Sequence, residues 1–587
     1  MRLQRLLIIP LLLGAALLLG WALPLYVSLL AYPYATDGLE GTLLAEARLW
    51  RAGEMLYAPL ERYRFVSAPY PPLHYLALML PDLIAGPHIF WGGRLVSVVA
   101  AAVIALCGAT LVLRGSGSWA AALVAAALLL SAPPLILWGT RIKPDVLALL
   151  FTALGLVCAP WAVGGGGAGA PGRDIGTGRG EAFHKRSPAL GNASPLQDPG
   201  APGVIGTHHD APVRDRGAAL PLILAAVCFV AAFFTKQTAV AGALATGIAL
   251  VVVAARDAWA AVVGVGVAHR DTPVRDRGGE GVGRTQHAAS LRVYTGRVIL
   301  FSGVYLALAL GIWALLDVWT GRAYTLHVWW NFARGSWWSY GLFVKIVGLL
   351  GFWWPAMILA LGCVVLSVHH RALFVPAAYV LVAPITLLGS GETGAHHNHL
   401  LETHLALAVA AGCALGVWIT QRAAPLSPRV GEGTGAGRTI RTMATQSFAS
   451  LLIAIQLWLA FAPPQDWYAT QLRPDPEDTP ERYLNFMRNT PGEILADDTG
   501  LLFQAGKPLR YNDPSTMGPA AAQGFWDASG LIEDIRARRF SAIMIPTDVT
   551  RGEQDETGRW TPEMLAAIRD HYVVLYRDTI VTYVPRP

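Results

Sequence analysis

Apolar runs of about membrane-crossing length recur along this chain, near residues 6–30, 94–113, 118–138, 146–163, 218–234, 237–255, 297–316, 341–366, 371–389, 400–420 and 448–463. A helix that crosses a bilayer needs roughly 17–25 such residues, because hydrocarbon offers no water to satisfy backbone N–H and C=O groups. The pattern restricts the chain to a polytopic α-helical membrane protein. Composition agrees: 14% of the 587 residues are charged, against roughly 25% in soluble proteins. A further apolar piece, 71–86, carries Pro81 and Asp82, which make a full crossing costly, so it is expected to be interfacial or re-entrant. Depending on that piece, about 11–13 transmembrane helices are expected.

The basic residues fall mostly between the runs, so the net charge of +6 is a topology signal and not a nucleic-acid footprint. With Arg2 and Arg5 inside, the N-terminus is cytoplasmic. The first run is too long for a signal-peptide core and no small-residue cleavage site precedes the acidic segment, so it is expected to be a retained anchor. Alternation then puts the loop 31–93, residues 141–145, Lys236, the loop 317–340 and everything after 464 outside. The five cysteines lie inside apolar runs without ligand spacing and read as small buried residues.

Three cytoplasmic segments, 164–217, 256–296 and 421–447, are rich in Gly, Pro and Arg and lack apolar periodicity, so they are expected to be disordered linkers. "DAPVRDRG" in the first recurs as "DTPVRDRG" in the second, and "GEGVGRT" resembles "GEGTGAGRT" in the third, as a repeated inserted element would. After the membrane module, 1–463, short units such as "GEILADD", "LIEDIRARRF" and "SAIMIPTDV" alternate helix and strand patterns. They predict a small extracytoplasmic α/β domain over 464–587.

Chemistry concentrates in the loop 31–93. "TDGLEGTLLAEARLW" places Asp37, Glu40 and Glu46 directly after the first crossing, where a carboxylate facing a membrane cavity is costly unless used; plain solvation of an interfacial helix is the structural alternative. Farther on, "TRIKPDVLALLF" sets Asp145 at a helix start with Arg141 and Lys143 at the same mouth, and "FFTKQTAV" sets Lys236 between two crossings. "GSGETGAHHNHLLETHLAL" gathers Glu392, His396, His397, Asn398, His399, Glu402 and His404. Substrate contact, a divalent metal and a plain polar loop all remain open for it, although His-His-x-His lacks the i, i+4 geometry of a helical zinc site. Trp329, Trp330, Trp337 and Trp338 suit a bilayer interface or stacking on a sugar or polyprenyl chain.

Four of these elements in order resemble the first external loop of GT-C glycosyltransferases of the protein-mannosyltransferase and lipid A aminoarabinose-transferase type. They are an acid after the first helix, the G-x-x-x-Y of Gly53 and Tyr57, Pro71-Pro72-Leu73, and the R-L-x-S of Arg94-Leu95-Val96-Ser97. The resemblance covers roughly residues 1–250 by motif and the rest by architecture. It implies a GT-C-like fold and an inverting transfer of a sugar from a polyprenyl-phosphate carrier to an acceptor hydroxyl on the extracytoplasmic face of the plasma membrane. Spacing to Glu46 puts Glu40 at the family's catalytic-acid position, with Asp37 second. Glu40 would act as general base, and Arg94, Arg141 or Lys236 would steady the leaving phosphate. Asp145, His396, His397, Asn398 and Glu402 fall at substrate positions. Tyr70 stands where aminoarabinose transferases carry Lys, which argues against that particular substrate. Implied partners are the lipid-linked donor, membrane lipids and a protein, lipid or glycan acceptor, with no nucleic acid. No cofactor is implied with certainty. The rival classes are a transporter or flippase of lipid-linked saccharide, which would show two related halves with broken helices, and a catalytically silent assembly subunit.

Overall fold

The computed structural model describes residues 2–80, 86–163, 216–268, 280–330, 339–391, 397–420, 435–461, 480–553, 555 and 558–587. Helices occupy the expected runs: α1 (Arg2–Ala31), then after α2 (Leu39–Arg51) and α3 (Pro72–Met79) come α4 (Trp91–Ser116), α5 (Trp119–Leu130), α6 (Pro133–Trp138), α7 (Pro144–Val163), α8 (Arg216–Phe233), α9 (Ala241–Ala268) and α10 (Glu280–Trp319). A single turn, α11 (Ala323–Thr325), precedes α12 (Ser339–Ser367), α13 (Phe374–Val382), α14 (Leu401–Thr420) and α15 (Gly435–Phe461). Among the described residues, six stretches are long and apolar enough to cross a membrane: Ile8–Ala31, Trp91–Ser116, Arg292–Trp319, Tyr340–Ser367, Arg371–Gly391 and His397–Thr420. Shorter apolar helices fill the other expected places, at Trp119–Leu130, Pro144–Pro160, Ala219–Phe233, Ala241–Arg256 and Gln446–Ala460. Leu17, Val27, Leu310 and Val318 stay exposed on the outer face of the bundle, as lipid-facing residues do.

Local chemistry sets the turns. Gly117 at φ +71 ends α4, its N–H reaching the Leu113 carbonyl, and the Ser118 hydroxyl caps α5 by accepting from Ala121. Pro133 and Pro134 open α6, where a missing N–H costs nothing. Small residues let helices touch. A Cβ on Gly155 or Gly242 would lie 2.6 or 2.7 Å from the Phe229 ring, the close approach that packs α7, α8 and α9 without a hydrophobic drive in lipid.

The expected interfacial piece is α3, eight residues long and so roughly 12 Å, far short of a crossing. Parts of the expected linkers are helical instead of disordered: 256–268 prolongs α9, 280–296 begins α10 and 435–447 begins α15. Propagation adds one hydrogen bond per residue to a helix already nucleated in the bundle, so these flanks continue it. The remaining linker residues lie outside the described ones.

The C-terminal part is an α/β unit of α16 (Glu481–Asn489), β1 (Ile494–Ala496), α17 (Thr499–Gln504), α18 (Pro514–Ala522), α19 (Ser529–Arg536), β2 (Ala542–Ile545), α20 (Pro562–His571), β3 (Tyr572–Tyr576) and β4 (Val581–Pro585). Its sheet order is β1-β2-β4-β3, with β1 and β2 parallel and the other pairs antiparallel. The parallel pair needs a crossover, which the helices between β1 and β2 supply. Phe65 from the first long loop is fully buried in this unit's core, 4.8 Å from the Trp526 ring. Its N–H donates to the Arg510 carbonyl and its carbonyl accepts from Asn512 N–H. The loop and the C-terminal unit therefore share one core.

Candidate active site

Two clusters of charged side chains sit at the ends of the bundle helices beneath the C-terminal unit. The first is built on the turn between α1 and α2. Glu40, in the first turn of α2, has no solvent exposure. Its Oε1 accepts from Arg94 Nε at 3.0 Å and Ile142 N–H at 3.1 Å. Its Oε2 accepts from Arg94 Nη2 at 2.7 Å and from the Thr36 N–H and hydroxyl at 2.7 and 3.0 Å. A carboxylate offers about four lone-pair sites, so both oxygens are saturated. Burial opposes ionisation of Glu40, but Arg94 and the donated N–H groups outweigh it and hold the carboxyl below its usual range.

Arg94 is consumed by the same arrangement. Besides Glu40 it donates to the carbonyls of Leu29, Tyr32 and Tyr34, and it is wholly buried. All its N–H donors are thereby engaged. One turn on, the Ser97 hydroxyl donates to the Arg141 carbonyl at 2.6 Å. The R-L-x-S motif thus has a physical reading: its Arg pins the α2 start and its Ser pins the segment before α7.

What this frame presents is Asp37. Its side chain keeps 18% exposure, with Lys143 Nζ 3.1 Å from Oδ1 and Arg141 Nη1 3.8 Å from Oδ2. Oδ1 also accepts from Leu39 N–H at 2.9 Å. Burial raises the Asp37 carboxyl, yet Lys143 and Arg141 overcome it and hold it far below the usual carboxylate range. The expected order, Glu40 first and Asp37 second, is not the order of availability. Glu40 and Arg94 are locked to each other, so neither Glu40 as base nor Arg94 as phosphate contact has a free valence in this geometry.

The other motifs support the frame. Gly53 takes φ +95 with open space around it, turning the chain after α2, and the Tyr57 hydroxyl donates to the Tyr70 carbonyl at 2.8 Å. Pro71 and Pro72 start α3, and Leu73 N–H donates to the Phe234 carbonyl just before Lys236. Tyr70 lies between the clusters: burial, and then the charges of Asp145 and Asp37, push its phenol well above the ordinary value. Buried His74 is pushed down to about 3, by burial and by Lys143 against the opposing charge of Asp145.

The second cluster joins three distant segments. Lys236 Nζ and Asn398 Nδ2 donate to the same oxygen of Asp145, at 2.5 and 2.7 Å. Glu402 accepts from the Tyr379 hydroxyl at 2.8 Å. Asp145, Lys236, Thr238, Asn398, His399 and Glu402 line a small, partly open pocket. His397 does not belong to it. That side chain faces a separate, mostly apolar pocket with Lys345, Trp353 and His404. The short turn His397–Leu400 divides the two spaces. His396, Glu392, Trp337 and Trp338 lie outside the described residues. Among the described residues, no group of three or more His, Cys, Asp or Glu converges to hold a metal ion.

Residues with no local signal complete the first site. Asn512 donates to Glu46 Oε1 at 2.6 Å and accepts from Ser67 N–H. Glu46 is buried and pushed well above the usual range, by burial first and then by the charge of Asp513, against the hydrogen bond from Asn512. Asp498 caps α17 by accepting from Leu501; burial chiefly, with Asp37 adding, pushes it up to about 6.

The chain has a polytopic, GT-C-like helical fold, similar to that of a solved membrane transferase. Its structural neighbours include apo ArnT from Cupriavidus metallidurans, 13% identical with a TM-score of 0.50 over 97% of both chains. They include the same protein bound to undecaprenyl phosphate, 13% identical with a TM-score of 0.49 over 97% of both chains. The Archaeoglobus fulgidus oligosaccharyltransferase tethered with an acceptor peptide is 13% identical, with a TM-score of 0.44 over 98% of this chain and 74% of that one. No family model matches the chain, and no curated protein matches it.

Proposed function

We propose that this chain is a GT-C glycosyltransferase that moves a sugar from a polyprenyl-phosphate carrier to an acceptor hydroxyl on the extracytoplasmic face, with Asp37 as general base. The observation that carries the reading is the pairing of one accessible, ionised carboxylate with Lys143 and Arg141. A base and two cations within one side chain's reach suit a single displacement. Asp37 takes the acceptor's O–H proton, the freed oxygen bonds to the anomeric carbon, and the carbon–oxygen bond to phosphate breaks with its electron pair leaving on phosphate. Lys143 and Arg141 neutralise the charge that develops there. A single displacement inverts the anomeric centre. Glu40 and Arg94 serve as the fixed frame, and the pocket at Asp145, Lys236, Asn398 and Glu402 offers two carboxylates, an ammonium and an amide for sugar hydroxyls. The carrier agrees with the undecaprenyl phosphate bound by ArnT.

The test uses purified protein, radiolabelled polyprenyl-phosphate sugar and membrane acceptors. Wild type should release polyprenyl phosphate, and Asp37→Asn should lose transfer while still binding the carrier. Transfer by Asp37→Asn at the wild-type rate would remove the base assignment. Movement of labelled lipid across vesicles without release of polyprenyl phosphate would replace the enzyme with a transporter.

A further inference from the structure

The α2 helix meets the C-terminal unit through a buried polar seam placed directly beside Asp37. The Thr499 hydroxyl lies 2.5 Å from the Thr42 hydroxyl and donates to the Gly38 carbonyl at 3.2 Å. Thr42 in turn donates to the Asn512 carbonyl at 2.9 Å. Each hydroxyl has one proton. With Thr42's proton on Asn512, Thr499's proton is shared between Thr42 and Gly38. Thr499, Thr42 and Asn512 are all at most 2% exposed, so no water can replace a lost partner.

The backbones almost touch at this seam. A Cβ on Gly41 would stand 2.5 Å from Gly500 Cα, and a Cβ on Gly500 would stand 2.9 Å from Ala35 Cβ. Gly38 is the residue after Asp37, and Asp37 Oδ1 is oriented by the next N–H, that of Leu39. A bond to the Gly38 carbonyl therefore fixes the peptide between the proposed base and the helix that orients it. Arg94 and Lys143 act on this turn from the bundle side; Thr499 acts from the opposite side.

We propose that Thr499 is a positioning residue for Asp37, and that the C-terminal unit completes the active site by latching the α2 turn. The inference rests on Asp37 being the base. Docking alone would make Thr499 a stability residue, with kcat and KM changing only through the folded fraction. Latching makes kcat the sensitive quantity, since a misplacement of about 1 Å at a reacting group lowers rate by roughly a hundredfold.

Five chains are compared: wild type, Thr499→Val, Thr499→Ser, Asp37→Asn, and Gly41→Ala as a wedge that lifts the seam by another route. Transfer kinetics from labelled polyprenyl-phosphate sugar are read beside hydrogen exchange of amides 38–44. Thr499→Val should lower kcat by ~10–100-fold with the donor KM within about twofold, and speed exchange at those amides. Thr499→Ser should restore both, and Gly41→Ala should mimic Thr499→Val. An active Thr499→Val beside an inactive Asp37→Asn overturns the latch and leaves the base standing. An active Asp37→Asn overturns the base. In that case the latch of the turn is decided by exchange alone: unchanged protection of 38–44 in Thr499→Val refutes it.

Discussion

Replacing Arg94 by methionine removes the ion-pair partner, among the described residues, of a carboxylate with no solvent exposure. Glu40 keeps the Thr36 and Ile142 donors, while the carbonyls of Leu29, Tyr32 and Tyr34 lose theirs. Breaking one side of a buried pair destabilises by about 3–5 kcal/mol. Protonation of Glu40 sets a ceiling on the electrostatic part. Moving a carboxyl of ordinary pKa to neutral form at pH 7 takes about 3–4 kcal/mol at 1.36 kcal/mol per unit. The two figures agree, so a loss of about 4 kcal/mol is expected at pH 7. The sign with pH follows from the lowered carboxyl. Its stabilisation is fully present above the unfolded value, about 4.3, and is lost as pH falls through the folded value. The gap between wild type and Arg94→Met should therefore be wide at neutrality and shrink as pH falls below about 4.3. Thermal unfolding in detergent, followed by tryptophan fluorescence, gives the measurement. Adding Glu40→Met should recover most of the loss, a coupling of at least ~2 kcal/mol in the double-mutant cycle. A single variant within ~0.5 kcal/mol of wild type, or a strictly additive double variant, would refute the frame.

Lys143→Met removes the nearest cation from Asp37, so the acid limb of the pH–rate profile should move to higher pH; an unmoved limb contradicts Asp37 as the titrating base. Glu46, whose carboxyl is raised, favours folding less as pH climbs above its unfolded value. Glu46→Gln should therefore gain stability relative to wild type at pH 8 and not at pH 4, read from unfolding midpoints at both. Gly53→Val meets no neighbouring atom but must adopt φ +95, so it should lose ~1–3 kcal/mol from backbone strain alone in the same unfolding assay. Asn398→Asp places a second carboxylate against Asp145, where like charges repel, so the donor KM should rise while Thr499-dependent exchange at amides 38–44 stays unchanged.

The bundle was legible because hydrocarbon length and backbone satisfaction write themselves into one dimension as apolar runs. The R-L-x-S motif was equally visible, since Arg94 and Ser97 are one helical turn apart on one face. The ranking of Asp37 and Glu40 was not, because it depends on which carboxylate the folded chain saturates, and spacing carries no burial. His397 and Asn398 are neighbours in sequence yet line different cavities, because the tight turn His397–Leu400 sends successive side chains to opposite sides. Thr499 and Asn512 carried no signal at all. They are ordinary polar residues whose partners lie at the other end of the chain.

That distance has a consequence in time. The contact between Ser67 and Asn512 spans 445 residues, and a ribosome adds roughly 5–20 residues per second. Phe65 and the α2 turn therefore wait roughly 20–90 s for the segment around Asn512 that encloses them. Throughout that interval the membrane helices can insert and pack while the charged turn remains uncovered. A chain halted before Asn512 would be inserted with the Asp37 turn still uncovered.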